Sequence, residues 1–355
     1  MLSCRTAPFA TMLRLRRLSS APHPSSPMQP DDVDVLTNPS EKYVDAFMKA
    51  YGNERTVFKK EDFALWQNSF DDYQFKLTCL KGTTTVVATS HFVTFKPLDE
   101  SKESLVFMGF GWMDKHFRNP AALKIQQDIC HEVVPDPKTN MVGHINLEAA
   151  RFWHMMCGLE YHPTAIHNAA DVGYRSFYDV SDMKMDGSGG EIIDSSGITI
   201  RNARDVPKRD IIEYDQRIHP YHREKYIISH MLDRDGFAKV AYSDKDGKVC
   251  GIGQSIIYEN KMDCNIGPLY ADEPRVAQTI FSHMLNDIQQ SGKKVSRFEV
   301  RSAQMAPNSF RWIAPFLKCK PTRSYVCNFV YKHWAPEDID LSKVYCPTHL
   351  QLFMV

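Results

Sequence analysis

The sequence predicts an α/β protein of two successive halves, each a central mixed β-sheet flanked by helices. Three observations carry this reading. Segments of strand and helical periodicity come twice in one order: strand, two helices, three strands, helix, strand, helix, strand. Two strand-to-helix junctions align, FGWMDKHFRNPAAL and IGPLYADEPRVAQT, each with proline near the helix start. Between the repeats lies KMDGSGGEIIDSSG, rich in Gly, Ser and Asp and without apolar periodicity, which reads as a linker.

In the first half, EKYVDAFMKAYG and KKEDFALWQNSF place apolar residues three and four apart, as helices do. QFKLTCL, TTVVATSHFVTF and SLVFMGFGWM are rich in β-branched and aromatic residues and read as strands. NPAALKIQQDICHEV is a helix with Pro120 in its first turn, MVGHIN a short strand, LEAARFWHMMCGL a helix and DVGYRSFYDV a strand. In the second half, GITIRNA is a strand, and VPKRDIIEYDQRI and YHREKYIISHML are helices. GFAKVAYSDKDGKVCGIGQSIIY is a hairpin turning at Lys245-Asp246-Gly247. Strand and helix follow across IGPLYADEP, then the strand KKVSRFEVRS, the helix APNSFRWIAPFL and the strand RSYVCNFVYK; the tail after Trp334 is irregular. The expected division is a leader at 1–30, a first domain at 35–182, a linker at 183–196 and a second domain at 197–355.

Composition sets outer bounds. The 355 residues are 43% hydrophobic and 24% charged, with formal net charge zero, so no global field argues for nucleic acid or a membrane surface as partner. Apolar runs are too short to span a bilayer. Nine cysteines without CxxC spacing read as thiols of a reducing compartment, and the histidines lack HExxH spacing, so no metal is expected. No strand is followed by GxGxxG, which excludes a dinucleotide fold. The first thirty residues carry Arg5, Arg14, Arg16 and Arg17, five serines and no acid, the composition of a mitochondrial transit peptide; the alternative is a cytoplasmic protein with a plain tail.

With these elements in place, the chain resembles the GNAT superfamily of N-acetyltransferases. GIGQSIIYENKMDCNIGPLYADEPRVA with FEVRSAQMAPNSF resembles the YitH-type acetyltransferase domain, and the first half resembles a GNAT-like domain of unknown function abundant in nematodes. The resemblance implies tandem GNAT-like domains and acetyl-CoA or another acyl-CoA as co-substrate. It implies direct transfer to the amine of a small molecule or peptide, without a covalent enzyme intermediate. The acyl-CoA would wedge between a splayed strand and its neighbour, its pyrophosphate over the next helix N-terminus. The implied contacts are Trp112, Met113, Arg118, Asn119 and Asn146 in the first half, and Leu269, Tyr270, Ala271, Arg275, Val276, Ala277 and Asn308 in the second.

Here the family's glycine-rich pyrophosphate loop is replaced by DKHFRNPAAL and ADEPRVAQT. Charge favours the first loop, with Lys115, His116 and Arg118; family pattern favours the second, where Asp272 and Glu273 also suit a helix start. Pantetheine is expected along Leu269–Ala271. For the base, Glu299 and Asp263 are the best carboxylates of the second half. Trp153 and Pro315 stand where the family's leaving-group tyrosine is expected, which leaves Tyr270 as the substitute acid. The alternative is a non-catalytic tandem module that binds acyl-CoA or a protein partner. Oligomeric state is not legible.

Overall fold

The computed structural model describes residues 29–52, 58–145, 154, 172–184, 193–258, 262–303, 306–321, 323–336 and 338–348. The first half runs β1 (Val33–Thr37), α1 (Glu41–Tyr51), α2 (Lys60–Ser69), β2 (Gln74–Leu80), β3 (Val86–Phe95), β4 (Leu105–Met113), α3 (Pro120–Val133), β5 (Asn140–Ile145) and β6 (Val172–Asp179). The second runs β7 (Ile198–Asn202), α4 (Lys208–Ile218), α5 (Glu224–Leu232), β8 (Gly236–Ser243), β9 (Val249–Tyr258), β10 (Asp263–Ala271), α6 (Pro274–Gln290), β11 (Arg297–Ala303) and β12 (Arg323–Tyr331). A short β13 (Val344–Cys346) follows. Local chemistry explains these elements. α1 buries Val44, Phe47 and Tyr51, one helical stripe. α3 starts where Asn119 Oδ1 accepts from Ala122 N at 3.0 Å and Pro120 supplies a preset φ.

The predicted repeat is present as two mixed, helix-flanked halves, joined into one 13-stranded sheet in the order β1-β2-β3-β4-β5-β12-β6-β11-β10-β9-β8-β7, with β13 on β10. Only β4–β5 and β10–β11 are parallel among the described pairs. The order contains an exchange. β6, last strand of the first half, pairs with β11 of the second, and β12, last strand of the second, pairs with β5 of the first. The halves are successive in sequence but interleaved in the sheet.

Alternation along the strands builds the layers. Leu105, Phe107, Val142, Ile252 and Tyr270 join one core with α1, α2, α4 and α5. Val106, Met108 and Met141 face α3, while Cys264, Ile266 and Leu269 face α6. α2 and α5 meet across the seam through the stacked Phe70 and Tyr226 rings and the buried Asp62–Arg234 ion pair at 2.7 Å.

Two expected helices need comment. APNSFRWIAPFL forms turns and a short 3₁₀ segment at Ala314–Phe316 instead of an α-helix. Pro315 lacks an N–H and clashes with the preceding turn, which stops a regular helix there. LEAARFWHMMCGL lies outside the described residues except for His154. Among the described residues, no helix is long and apolar enough to cross a membrane.

Candidate active site

Both halves contain a V-shaped opening where the parallel pair diverges. The ladder runs from Leu105↔Asn140 to Met108↔Gly143 in the first half and from Asp263↔Arg297 to Ile266↔Val300 in the second. Just beyond, β4 and β10 each carry a bulge. Pairing steps from His91↔Gly109 to Thr89↔Trp112 in one and from Ser255↔Ile266 to Gly253↔Leu269 in the other. Counted from the ends of the parallel ladders, Met108 and Ile266, Trp112 aligns with Tyr270, Met113 with Ala271 and His144 with Arg301, while the bulge begins one residue later in the first half.

The two openings hold different things. In the second half, β13 lies in the V, with Leu269↔Cys346 and Tyr270↔Val344 paired antiparallel. Cys346 bridges both arms, its Sγ donating to Ile266 O at 2.8 Å and accepting from Arg301 N at 3.3 Å. Burial pushes this thiol up to about 12, so it packs as an apolar group. Gly267, at φ 143°, lets the tail close in: a Cβ there would stand 2.2 Å from Pro347 O. Leu269, Tyr270 and Ala271 are fully buried. The expected pantetheine groove of the second half is thus occupied by the chain itself.

Each other second-half candidate has a structural occupation. Asn308 Nδ2 donates to Ser342 O at 2.7 Å, which ties down the tail. Val276 N and Ala277 N both donate to Glu273 O, and both side chains are buried, so these amides are not presented to a pyrophosphate. Arg275 binds Glu273 at 2.8 Å and Ser196 O at 2.8 Å. Asp272 accepts from Tyr214 OH at 3.3 Å and pairs with Lys343 at 3.4 Å.

The proposed acid and base fare likewise. The Tyr270 hydroxyl is buried against Arg223 at 3.5 Å, with the ring on His219; burial raises its pKa far above the ordinary phenol range. Glu299 is 1% exposed and receives Arg175 through Nε and Nη2 at 2.9 and 3.0 Å, and Arg301 Nε at 2.9 Å. Burial alone would raise its pKa, but Arg175 and Arg301 hold it down to about 2. A carboxylate so held is a poor base, and it fixes β6 to β11 instead. Asp263 is clamped by Arg297 through two contacts of 2.8 Å.

The first half differs at the strand edge and in the charge of its helix entrance. Among the described residues no strand pairs with the V-facing edge of Gly109–Met113, where Gly111 is exposed and Trp112 and Met113 are half-buried. Trp112 stands on the Phe47 and Tyr51 rings of α1 at 6.0 and 6.1 Å. The loop to α3 exposes Lys115, His116 and Arg118 beside one acid, Asp114, whose carboxylate accepts from His116 N at 2.8 Å. Arg118 Nε donates to Met113 O at 3.2 Å, which brings its charge back to the end of β4. Asn119 caps α3, and Asn146 lies outside the described residues.

Sequence reasoning passed over two histidines here. His91 on β3 and His144 on β5 lie on the α1/α2 face on either side of Phe107, with ring centroids 6.3 and 5.2 Å from it. The signal available was the His in MVGHIN, one residue past the last parallel pair, which only the register shows.

A family model described as "Protein of unknown function (DUF1248)" matches residues 30–218, and one described as "Acetyltransferase (GNAT) domain" matches residues 211–304. Among solved structures, the chain is similar to a putative acetyltransferase from Pyrococcus horikoshii at 13% identity, covering 91% of this chain and 96% of that one, TM-score 0.61. A tandem GNAT protein from the clavulanic acid biosynthesis pathway is 10% identical over 84% of this chain and 98% of its own, TM-score 0.61. Saccharomyces cerevisiae N-myristoyltransferase with bound myristoyl-CoA is 12% identical over 92% of this chain and 91% of its own, TM-score 0.56. No curated protein sequence matches. These likenesses bear out the tandem GNAT architecture.

Proposed function

The chain belongs to the DUF1248 family of proteins of unknown function, and from that premise we propose that it is an acyl-CoA-dependent N-acyltransferase whose acyl-CoA sits in the first half. The observation that carries this reading is the asymmetry of the two openings: β13 fills the second, and the described first one is lined by an unpaired strand edge and a basic helix entrance. Trp112 and Met113 would flank the pantetheine. Lys115 and Arg118 would meet the pyrophosphate at the positive end of α3; because Ala122 N donates to Asn119 Oδ1 and Leu123 N to Asn119 O, the two cations rather than free amides carry the contact. The bulge at Phe110–Gly111 turns backbone groups out of the ladder at the apex, where an N–H can polarise a thioester carbonyl. The second half then serves as a buttress that supplies β12 to the first.

The acceptor class is an amine; acyl length and acceptor identity are matters for screening. Isothermal titration of acetyl-CoA is expected to give one site per chain. Lys115→Glu with Arg118→Glu should abolish measurable binding while the protein stays folded. Binding that ignores this charge reversal would overturn the placement, and binding without transfer to any amine would favour the non-catalytic module. The acid-free, Arg-rich residues 1–30 support import into mitochondria, which a fusion of that segment to a fluorescent reporter tests.

A further inference from the structure

We propose that His144 is the general base of the first-half site and also returns the proton to the leaving sulfur. The proposal rests on the reading that acyl-CoA occupies the first half. His144 follows directly on Gly143, the last β5 residue paired in parallel with β4, so it stands at the apex where the strands part. Its ring packs against Phe107 at 5.2 Å and edge-on to Phe329 at 4.2 Å. Both belong to the core shared with α1 and α2, so the imidazole lies on that face of the sheet, beside the β4 bulge. The residue is half-buried, with Nε2 turned into the core, whereas His91 is fully buried through both ring nitrogens on β3, across β4 from the opening, beneath Trp66 and Tyr73. Position therefore selects His144 between the two.

The corresponding residue of the closed half sharpens the choice. Arg301 holds the same register position, and its guanidinium is spent on Glu299 and on Thr348 O at 2.7 Å. An arginine never gives up its proton in a protein, so that position cannot act as a base in the second half. In the first half it carries the one side chain whose ordinary pKa suits proton transfer near neutrality.

The step balances without another group. His144 accepts a proton from the acceptor amine as the nitrogen bonds to the thioester carbonyl carbon. The carbon–sulfur bond then breaks, the sulfur leaves as thiolate, and the imidazolium hands it the same proton. One residue thus covers both proton transfers, so the step needs no tyrosine acid at the sequence position that Trp153 holds in the family pattern.

The test uses the full-length chain with acetyl-CoA and a panel of primary amines, reading CoA release by chromatography and acetyl-CoA binding by calorimetry. His144→Gln should lower kcat about 100-fold or more, with acetyl-CoA affinity and melting temperature within two-fold and two degrees of the parent. His144→Gly should lose the same activity and regain part of it when imidazole is added, a rescue that a packing role would not show. Undiminished turnover in His144→Gln, or a loss in His144→Gly that imidazole does not relieve, overturns the assignment. So does a parent protein that binds acetyl-CoA but acylates none of the amines. Absence of acetyl-CoA binding by the parent would instead remove the reading on which the assignment rests.

Discussion

The openings at β4/β5 and β10/β11 share ladder length, a bulge close to the ladder end and a flanking helix, yet the chain fills the second with β13 and leaves the described first without such a strand. The difference teaches that a duplicated fold does not duplicate a site. Once a strand of the chain itself satisfies the splayed edge, the surrounding residues become free to serve stability. Glu299, Asn308 and Arg275 have all gone that way, each holding a neighbouring segment. In the first half the corresponding surface keeps cations, glycines and half-exposed aromatics.

The largest effect that can break this comparison lies at the Arg175–Glu299–Arg301 cluster. Glu299→Ala leaves two arginines without their carboxylate inside the sheet and should cost about 3–5 kcal/mol, measured by urea denaturation. A loss below 1 kcal/mol would mean that the exchanged strand is held by packing alone. The cluster also sets an acid limit. Because the folded pKa of Glu299 is depressed from its ordinary 4.5 to about 2, its contribution is present above about pH 4.5 and is lost as pH falls towards about 2. Glu299→Gln should flatten that acid limb.

Next in size is the plug itself. Gly267→Ala asks a side chain to adopt φ 143° against Pro347 O and should cost about 1–3 kcal/mol through strain, with further loss as β13 is displaced. Melting temperature reads the cost. Acetyl-CoA stoichiometry reads the consequence, and it should stay at one per chain, because Val276 N and Ala277 N still donate to Glu273 O and Arg275 stays bound to Glu273 and Ser196 O.

The order of strands and helices was legible because apolar period and β-branched content are local properties. The exchange was not. DVGYRSFYDV and RSYVCNFVYK have the same strand character, and nothing within either says which half it will join. The one hint was charge: Arg175 belongs by sequence to the first half, while its carboxylate, Glu299, belongs to the second. The plug was equally hidden, since Val344–Cys346 is too short for alternation to register and sits in a tail without other pattern. Site residues read from the family pattern fell mostly in the closed half, because IGPLYA preserves the strand while the tail that covers it lies more than seventy residues on. The charge of DKHFRN was the better guide, being a property of the loop itself.

The smaller effects separate the two helix entrances. Lys115→Ala with Arg118→Ala removes two exposed charges, each contributing about 0.3–1 kcal/mol at a helix start, and should weaken acetyl-CoA by about three- to thirty-fold, less at high salt. The smallest effect is expected at the opposite entrance. From sequence alone, Asp272→Asn with Glu273→Gln should relieve repulsion and tighten CoA. The structure changes that expectation, because Glu273 is paired with Arg275, Asp272 with Lys343 and Tyr214, and the amides behind them donate to Glu273 O. The double variant should therefore leave acetyl-CoA affinity unchanged. Its stability should shift by no more than about 1 kcal/mol, the range of exposed ion pairs. Calorimetry at matched ionic strength decides the matter. A several-fold gain in affinity would mean that the second half still meets the cofactor, and the two openings would have to be reckoned alike.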